Sequence, residues 1–282
     1  IPISSSLLMN IIQRNFFRLL RCGAFKTTEQ LEPMSVFKWD RLCHLAVMHN
    51  VVLYVYDGLQ QCKGQFFLKL TENQWNNWQK LVNDTNSHLQ DVDSDEFLRA
   101  DHLTNPLLNH KLQDILDDEK SDTTSRRLLL LIIRIVRHIL NEGMPVRQLV
   151  ELGLFIRQEG AKVDQQTFMK WINGLRLQPM CQLEGEFLML LLGFTKEELF
   201  FIEEKANKNI EKIALELIEF TNTRSQDWYF SQDSDSIFVH NSNTSAMFSH
   251  VRRSARYFRY YPSESVTNFF ASFAHSLSHI EE

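Results

Sequence analysis

Between Leu128 and Leu199 apolar residues return every three or four positions almost without interruption. That spacing places them along one side of successive α-helices, whereas a half-buried strand would alternate with a period of two. A chain patterned in this way has to pack helix against helix. The punctuation agrees: 282 residues contain only 9 Gly and 6 Pro, and because these residues interrupt elements and shape turns, their scarcity means few, long elements. Apolar residues make up 44% of the chain, including 21 Phe and 5 Trp, which supplies a core and argues against intrinsic disorder. The expected fold is mainly α, a multi-helix bundle with little or no sheet.

Read along the chain, Ser4, Ser5 and Ser6 offer caps for a helix that carries Leu8, Ile12, Phe16 and Leu19 inward and ends at Gly23. A polar connector leads to Ser35, the expected cap of a helix burying Trp39, Leu42, Cys43 and Ala46. The run Val51-Val-Leu-Tyr-Val-Tyr56 is β-branched and aromatic, yet no second strand stands near it to pair with, so the pattern leaves helix and strand open. Thr71 and Gln74 form a capping box for a helix holding Trp75, Trp78 and Val82. Helical spacing resumes from Leu103 to Leu116, then from Arg126 to Asn141, with Gly143 and Pro145 between that helix and the next. Asp164 caps a helix of Phe168, Trp171 and Ile172, and another runs from Pro179 to Gly193. Thr195 with Glu198 predicts a second capping box opening a long helix through Phe200 to Phe220. A polar stretch, 221–245, precedes two helices separated by Pro262. The expected division is 1–90, a helical part; 91–122, a linker and short helix; 123–220, a helical bundle; and 221–282, a polar loop with basic, aromatic helices.

Formal net charge is −5 with a pI near 6.1, so the molecule as a whole has no electrostatic attraction to nucleic acid or anionic membrane. Cys22, Cys43, Cys62 and Cys181 contain no C-x-x-C pair and read as small hydrophobes, free thiols in a reducing compartment. The opening Ile-Pro-Ile-Ser-Ser-Ser has none of the order of a secretory signal. The apolar run Leu128 to Ile133 is cut by Arg134, far short of the roughly 20 residues that cross a bilayer. The expected location is cytoplasmic.

The segment Gly143-Met-Pro-Val-Arg-Gln-Leu-Val-Glu-Leu-Gly-Leu-Phe155, followed by Trp171, Leu175, Leu177 and Leu190-Leu-Leu-Gly-Phe194, resembles the helical C-terminal half of an uncharacterised bacterial nucleotidyltransferase family. The run from Trp39 to Asp57 is similar to that family's first helices, and the stretch from Val251 to Pro262 to its tail. The resemblance implies that Val51 to Leu59 is helical. It also implies a catalytic sheet between the helices at Trp78 and Leu107, where a glycine turn would cradle a triphosphate and two carboxylates on alternate strand positions would hold Mg²⁺. Fewer than thirty residues lie between those helices, too few for several strands of about 5 to 6 residues with a crossover. Asp91 and Asp93 would be the metal ligands, but no glycine occurs between Gly64 and Gly143, and clustered acids without apolar alternation read as a solvated linker. No family active-site residue is carried over. The expectation is a non-catalytic relative, without a cofactor, whose helices serve as a binding or scaffold module for a protein partner. The alternative is a diverged enzyme using Mg²⁺ and a nucleoside triphosphate.

One basic patch stands out. On a helix, Arg252, Arg256 and Arg259 share a face, with Arg253, Tyr257, Phe258, Tyr260 and Tyr261 beside them. Such a face can meet phosphates, bases or anionic lipid, which makes nucleic acid or a membrane surface the alternative partner. The simpler reading, which we favour, packs the aromatics on the bundle and pairs the arginines with acidic groups. The ten histidines lack metal-site spacing: His44 and His49 are five apart, and His275 and His279 lie near the end of the chain. Arg134 and His138 share a helix face, one residue closer than the Arg and His pair of helical ribonuclease-like domains. No G-x-S-x-G, P-loop or G-x-G-x-x-G motif occurs.

Overall fold

The computed structural model describes residues 8–87, 99–119, 121–141, 143–144, 146–203, 207–219 and 257–278. Among them the chain is helical with no strand: α1 (Ile11–Phe25), α2 (Val36–Met48), α3 (Val52–Gln61), α4 (Glu72–Ser87), α5 (Pro106–Asp117), α6 (Thr123–Asn141), α7 (Val146–Glu159), α8 (Gln165–Gly174), α9 (Gln178–Leu192), α10 (210–219) and α11 (Pro262–Ser278). Buried side chains from Met9 to Tyr261 form a single apolar cluster. No described helix is long and apolar enough to cross a membrane.

Local signals placed many of the ends. Thr71 and Gln74 close the reciprocal capping box that opens α4, the Gln74 N–H donating to Thr71 Oγ1 at 3.3 Å and the Thr71 N–H to Gln74 Oε1 at 3.0 Å. Asp164 caps α8 by accepting the Gln166 and Thr167 N–H groups, and Gly193 ends α9 in the left-handed conformation at φ 72°. Asp122, before α6, accepts from the N–H and hydroxyl of Ser125, whose Oγ in turn accepts the Asp164 N–H at 3.0 Å. The starts of α6 and α8 are thereby tied together.

Two expectations change, and one left open is decided. Ser4 to Ser6 lie outside the described residues, and the cap of α1 is Asn10, which exchanges hydrogen bonds with Gln13. Gly23 does not end α1; the helix continues to Phe25 and closes on a left-handed Lys26, because Gly23 is the place where α3 touches. The run from Val51 to Tyr56, left open between strand and helix by its pattern, is helical from Val52 on, with Val51 the N-cap of α3 and Val52, Val55, Gly58 and Leu59 turned inward.

The long helix expected through Phe200 to Phe220 is also broken. Thr195 and Glu198 do form their capping box, but it opens only the short 3₁₀ turn Lys196–Glu198. Leu199 and Phe201 are both buried, and residues two apart point about 200° apart, to nearly opposite sides, on an α-helix. Leaving the helix lets both reach the core while Phe200 and Phe201 bracket Phe168 at ring distances of 5.5 and 6.4 Å. The chain becomes helical again at 210–219.

Candidate binding cleft

The strongly amphipathic α6 turns Leu128, Leu129, Ile132, Ile133, Ile135 and Val136 into the core. A second stripe on its outer side, Arg127, Leu130, Leu131 and Arg134, follows the i, i+3, i+4, i+7 rule and faces Glu151, Leu154, Phe155, Gln158 and Glu159 of α7. Between the two helices lies a cleft of about 500 Å³, within the size range of small-ligand sites. Its floor is apolar, and Leu130, Leu131 and Leu154 are only half-buried.

Charge is concentrated at the rim. Glu151 accepts from Arg147 Nε at 2.7 Å and lies 3.6 Å from Arg134 Nη1. Glu159 pairs with Lys162 at 2.6 Å. Such partly exposed pairs add little to stability, because water competes for both partners. The guanidinium of Arg127 lies 5.4 Å above the Phe155 ring, and among the described residues it meets no carboxylate. Four cations thus surround two carboxylates on a molecule that is net acidic.

Two further groups combine burial with chemistry. In α9, Glu184 is fully buried and neither carboxyl oxygen has a hydrogen-bond partner among the described residues. Desolvation holds its pKa well above the ordinary carboxylate range, and the same effect raises the neighbouring thiol of Cys181. Elsewhere, Arg137 of α6 donates to Glu264 of α11 at 3.0 Å and to Asn268 Oδ1 at 3.1 Å, with both partners of the ion pair wholly buried. The Glu264 carboxylate also accepts the N–H groups of Thr104 and Asn105 and the Thr104 hydroxyl. This knot fastens α11 to α6 and to the start of α5. Buried histidines serve the same bundle: His138 Nε2 lies 3.2 Å from Gln148 Nε2, and the Val146 N–H donates to His49 Nδ1 at 3.4 Å.

Of the residues singled out from sequence, Asp91, Asp93, Arg252, Arg253 and Arg256 lie outside the described residues. Tyr257 is buried and Tyr260 half-buried, in a turn closed by the Tyr260 N–H donating to Tyr257 O at 2.9 Å. The Tyr260 hydroxyl accepts from Asn207 Nδ2 at 2.8 Å and from Arg259 Nη2 at 2.6 Å. Tyr261 is buried, and its hydroxyl donates to Leu175 O at 2.9 Å. Arg134 faces Glu151 across the cleft, and His138 faces inward to Gln148, so that pair does not converge on one site. Among the described residues no group of three or more His, Cys, Asp or Glu side chains converges on a point that could hold a metal ion. Arg137, Glu184 and Glu264 were missed by the sequence reading. A signal existed for two of them: Arg137 shares a helix face with Ile133 and Leu140, and Glu184 with Cys181 and Leu188. Compared with family models, with curated proteins and with solved structures, the chain matches none.

The buried carboxyl gives a pH-dependent expectation. An acid whose folded pKa is raised keeps its proton in the native state, while the unfolded chain ionises near 4.5. Native stability therefore falls as pH rises above that value. Replacing Glu184 by Met, flexible and apolar, should stabilise the chain at neutral pH by about 1 to 3 kcal/mol, the cost of an unsatisfied buried polar group. Urea unfolding at pH 4 and pH 8 reads the effect. The gain should be larger at the higher pH, and an equal or smaller gain there would refute the assignment.

Proposed function

We propose that this chain is a non-catalytic helical binding module, related to the flanking helices of the nucleotidyltransferase family and working in the cytoplasm. Its ligand in this reading is an acidic, amphipathic segment of a protein partner, held in the cleft between α6 and α7. The observation that carries the reading is the composition of that cleft, an apolar floor of Leu130, Leu131, Leu154 and Phe155 below a rim on which Arg127 stacks on an aromatic ring without a carboxylate among the described residues. Apolar side chains would replace water on the floor while carboxylates complete the cationic rim. The lack of room for a catalytic sheet supports the non-catalytic part: α4 runs to Ser87 and α5 begins at Pro106, an interval shorter than three strands of about 5 to 6 residues and their connections would need. The burial of Tyr257 and Tyr261 favours packing over phosphate binding for the aromatic part of the tail.

The test uses fluorescence anisotropy with two labelled helical peptides of equal length, one built from Leu and Glu and the other from Leu and Lys. The acidic peptide should bind and the basic one should not, and added salt should weaken the complex. Arg127→Glu should reduce affinity roughly tenfold, or about 1.4 kcal/mol. Equal binding of both peptides, or binding indifferent to Arg127→Glu, would remove the cleft from the proposal. Thermal unfolding with Mg²⁺ and nucleoside triphosphates addresses catalysis, because a ligand bound only by the native state raises its stability. A rise in midpoint that needs both metal and nucleotide would favour the enzyme reading.

A further inference from the structure

We propose that Cys22 and Cys62 form an oxidisable dithiol, a modification site at which peroxide creates a disulfide joining the end of α1 to the end of α3. The sulfurs are 3.8 Å apart, with the Cys62 thiol directed at Cys22 Sγ. A disulfide requires about 2.05 Å between sulfurs, so they need to close by roughly 2 Å, within reach of small side-chain rotations at two helix ends. Cys22 lies in the last turn of α1 and Cys62 is the C-cap of α3. Backbone contact between the helices at Gly23 and Gly58 fixes their approach. The neighbouring loops are tied as well, since Gln65 accepts from the Leu31 N–H and donates to Glu29 O.

The two thiols are unequal. Hydrogen bonds from the Cys62 thiol and the Glu29 backbone, with the charge of Arg21 nearby, draw Cys22 down to about 7, while Cys62 is held up by the sulfur it faces and by burial. Cys22 is therefore the nucleophile. Both residues are buried, which admits a small neutral oxidant such as hydrogen peroxide and excludes a bulky disulfide. The Cys22 thiolate attacks one peroxide oxygen, the O–O bond breaks, and the departing hydroxide takes up a proton, leaving a sulfenic acid. Cys62 sulfur then attacks Cys22 sulfur, the S–O bond breaks, and the Cys62 proton leaves with the hydroxyl as water. Two thiols and one peroxide give one disulfide and two waters.

The experiment exposes the full chain to millimolar hydrogen peroxide, removes the oxidant, denatures, alkylates free thiols and maps the peptides by mass spectrometry. Two of the four thiols should escape alkylation, in one peptide pair linking residues 22 and 62, while Cys43 and Cys181 remain alkylated. The thermal midpoint should rise on oxidation and return with dithiothreitol. Oxidation of Cys22 to a sulfinic acid without a link, a link through Cys43 or Cys181, a link between two chains, or four alkylated thiols would each overturn the proposal.

Discussion

Replacing Gly58 with Ala is expected to destabilise the native chain by about 3 kcal/mol or more, at or beyond the upper end of the usual range for overpacking. A Cβ at residue 58 would stand 2.1 Å from Leu19 O and 2.8 Å from Leu19 C. Its counterpart Gly23 is as confined, with Tyr54 O only 1.8 Å from the added atom. The obstructing atoms are backbone, so no side-chain rotation relieves the clash, and α1 and α3 would have to move apart by more than 1 Å. That movement would open voids beside Leu19, Leu20, Val55 and Leu59, all fully buried or nearly so. The intrinsic helix preference of Ala over Gly, about 1 kcal/mol, is too small to offset it. Gly174 in α8 supplies the control, because nothing lies within 4 Å of a Cβ built there. Gly174→Ala should be neutral or slightly stabilising. Urea unfolding of both variants decides the matter, and a Gly58→Ala cost no greater than that of Gly174→Ala would show that the helices do not meet backbone to backbone. The same variant should slow peroxide linkage of Cys22 to Cys62, since separating the helices parts the sulfurs.

How far the sequence could be read follows from the range over which each feature is determined. The capping boxes at Thr71 and Thr195 and the cap at Asp164 are decided within a few residues and were legible, as was the helical character of the chain; Ser35 marks the start of α2 but its side chain makes no capping hydrogen bond. Gly23 was misread as a stop because glycine commonly terminates helices; its role as a contact point becomes visible only when Gly58 faces it across another helix. The break after Glu198 had the same origin, since burying both Leu199 and Phe201 outweighed the continuation that local propensity favoured. The outer stripe of α6 could be read from spacing, yet a cleft needs the position of α7 as well. Arg137 and Glu184 show the converse: their place on apolar helix faces was legible, and the sequence reading gave neither of them a role. A charged residue at a core-facing helical position is therefore a stronger pointer to a tertiary contact than the acidic and basic clusters that attracted attention.

Arg137→Met alone is expected to cost about 3 to 5 kcal/mol, because it leaves the Glu264 carboxylate charged, buried and without its guanidinium. Glu264→Gln alone should cost less: the amide oxygen can still accept from the Thr104 and Asn105 N–H groups, which the wild-type carboxylate binds at 2.7 and 3.0 Å. Combining the two changes tests the ion pair itself. If its charges depend on each other, the double variant should be more stable than the sum of the single costs allows, by about 2 kcal/mol, within the range measured for contacting residues. Additive costs would mean that the hydrogen bonds to Thr104, Asn105 and Asn268 hold α11 without help from the charge. Salt separates this site from the cleft. Both partners of the pair are fully buried, so raising ionic strength should leave the coupling between Arg137 and Glu264 unchanged. It should weaken peptide binding at Arg127, where the guanidinium is exposed. Arg127 and Arg137 lie on one helix and differ in what surrounds them, so the first is available to a partner and the second is committed to holding the bundle together.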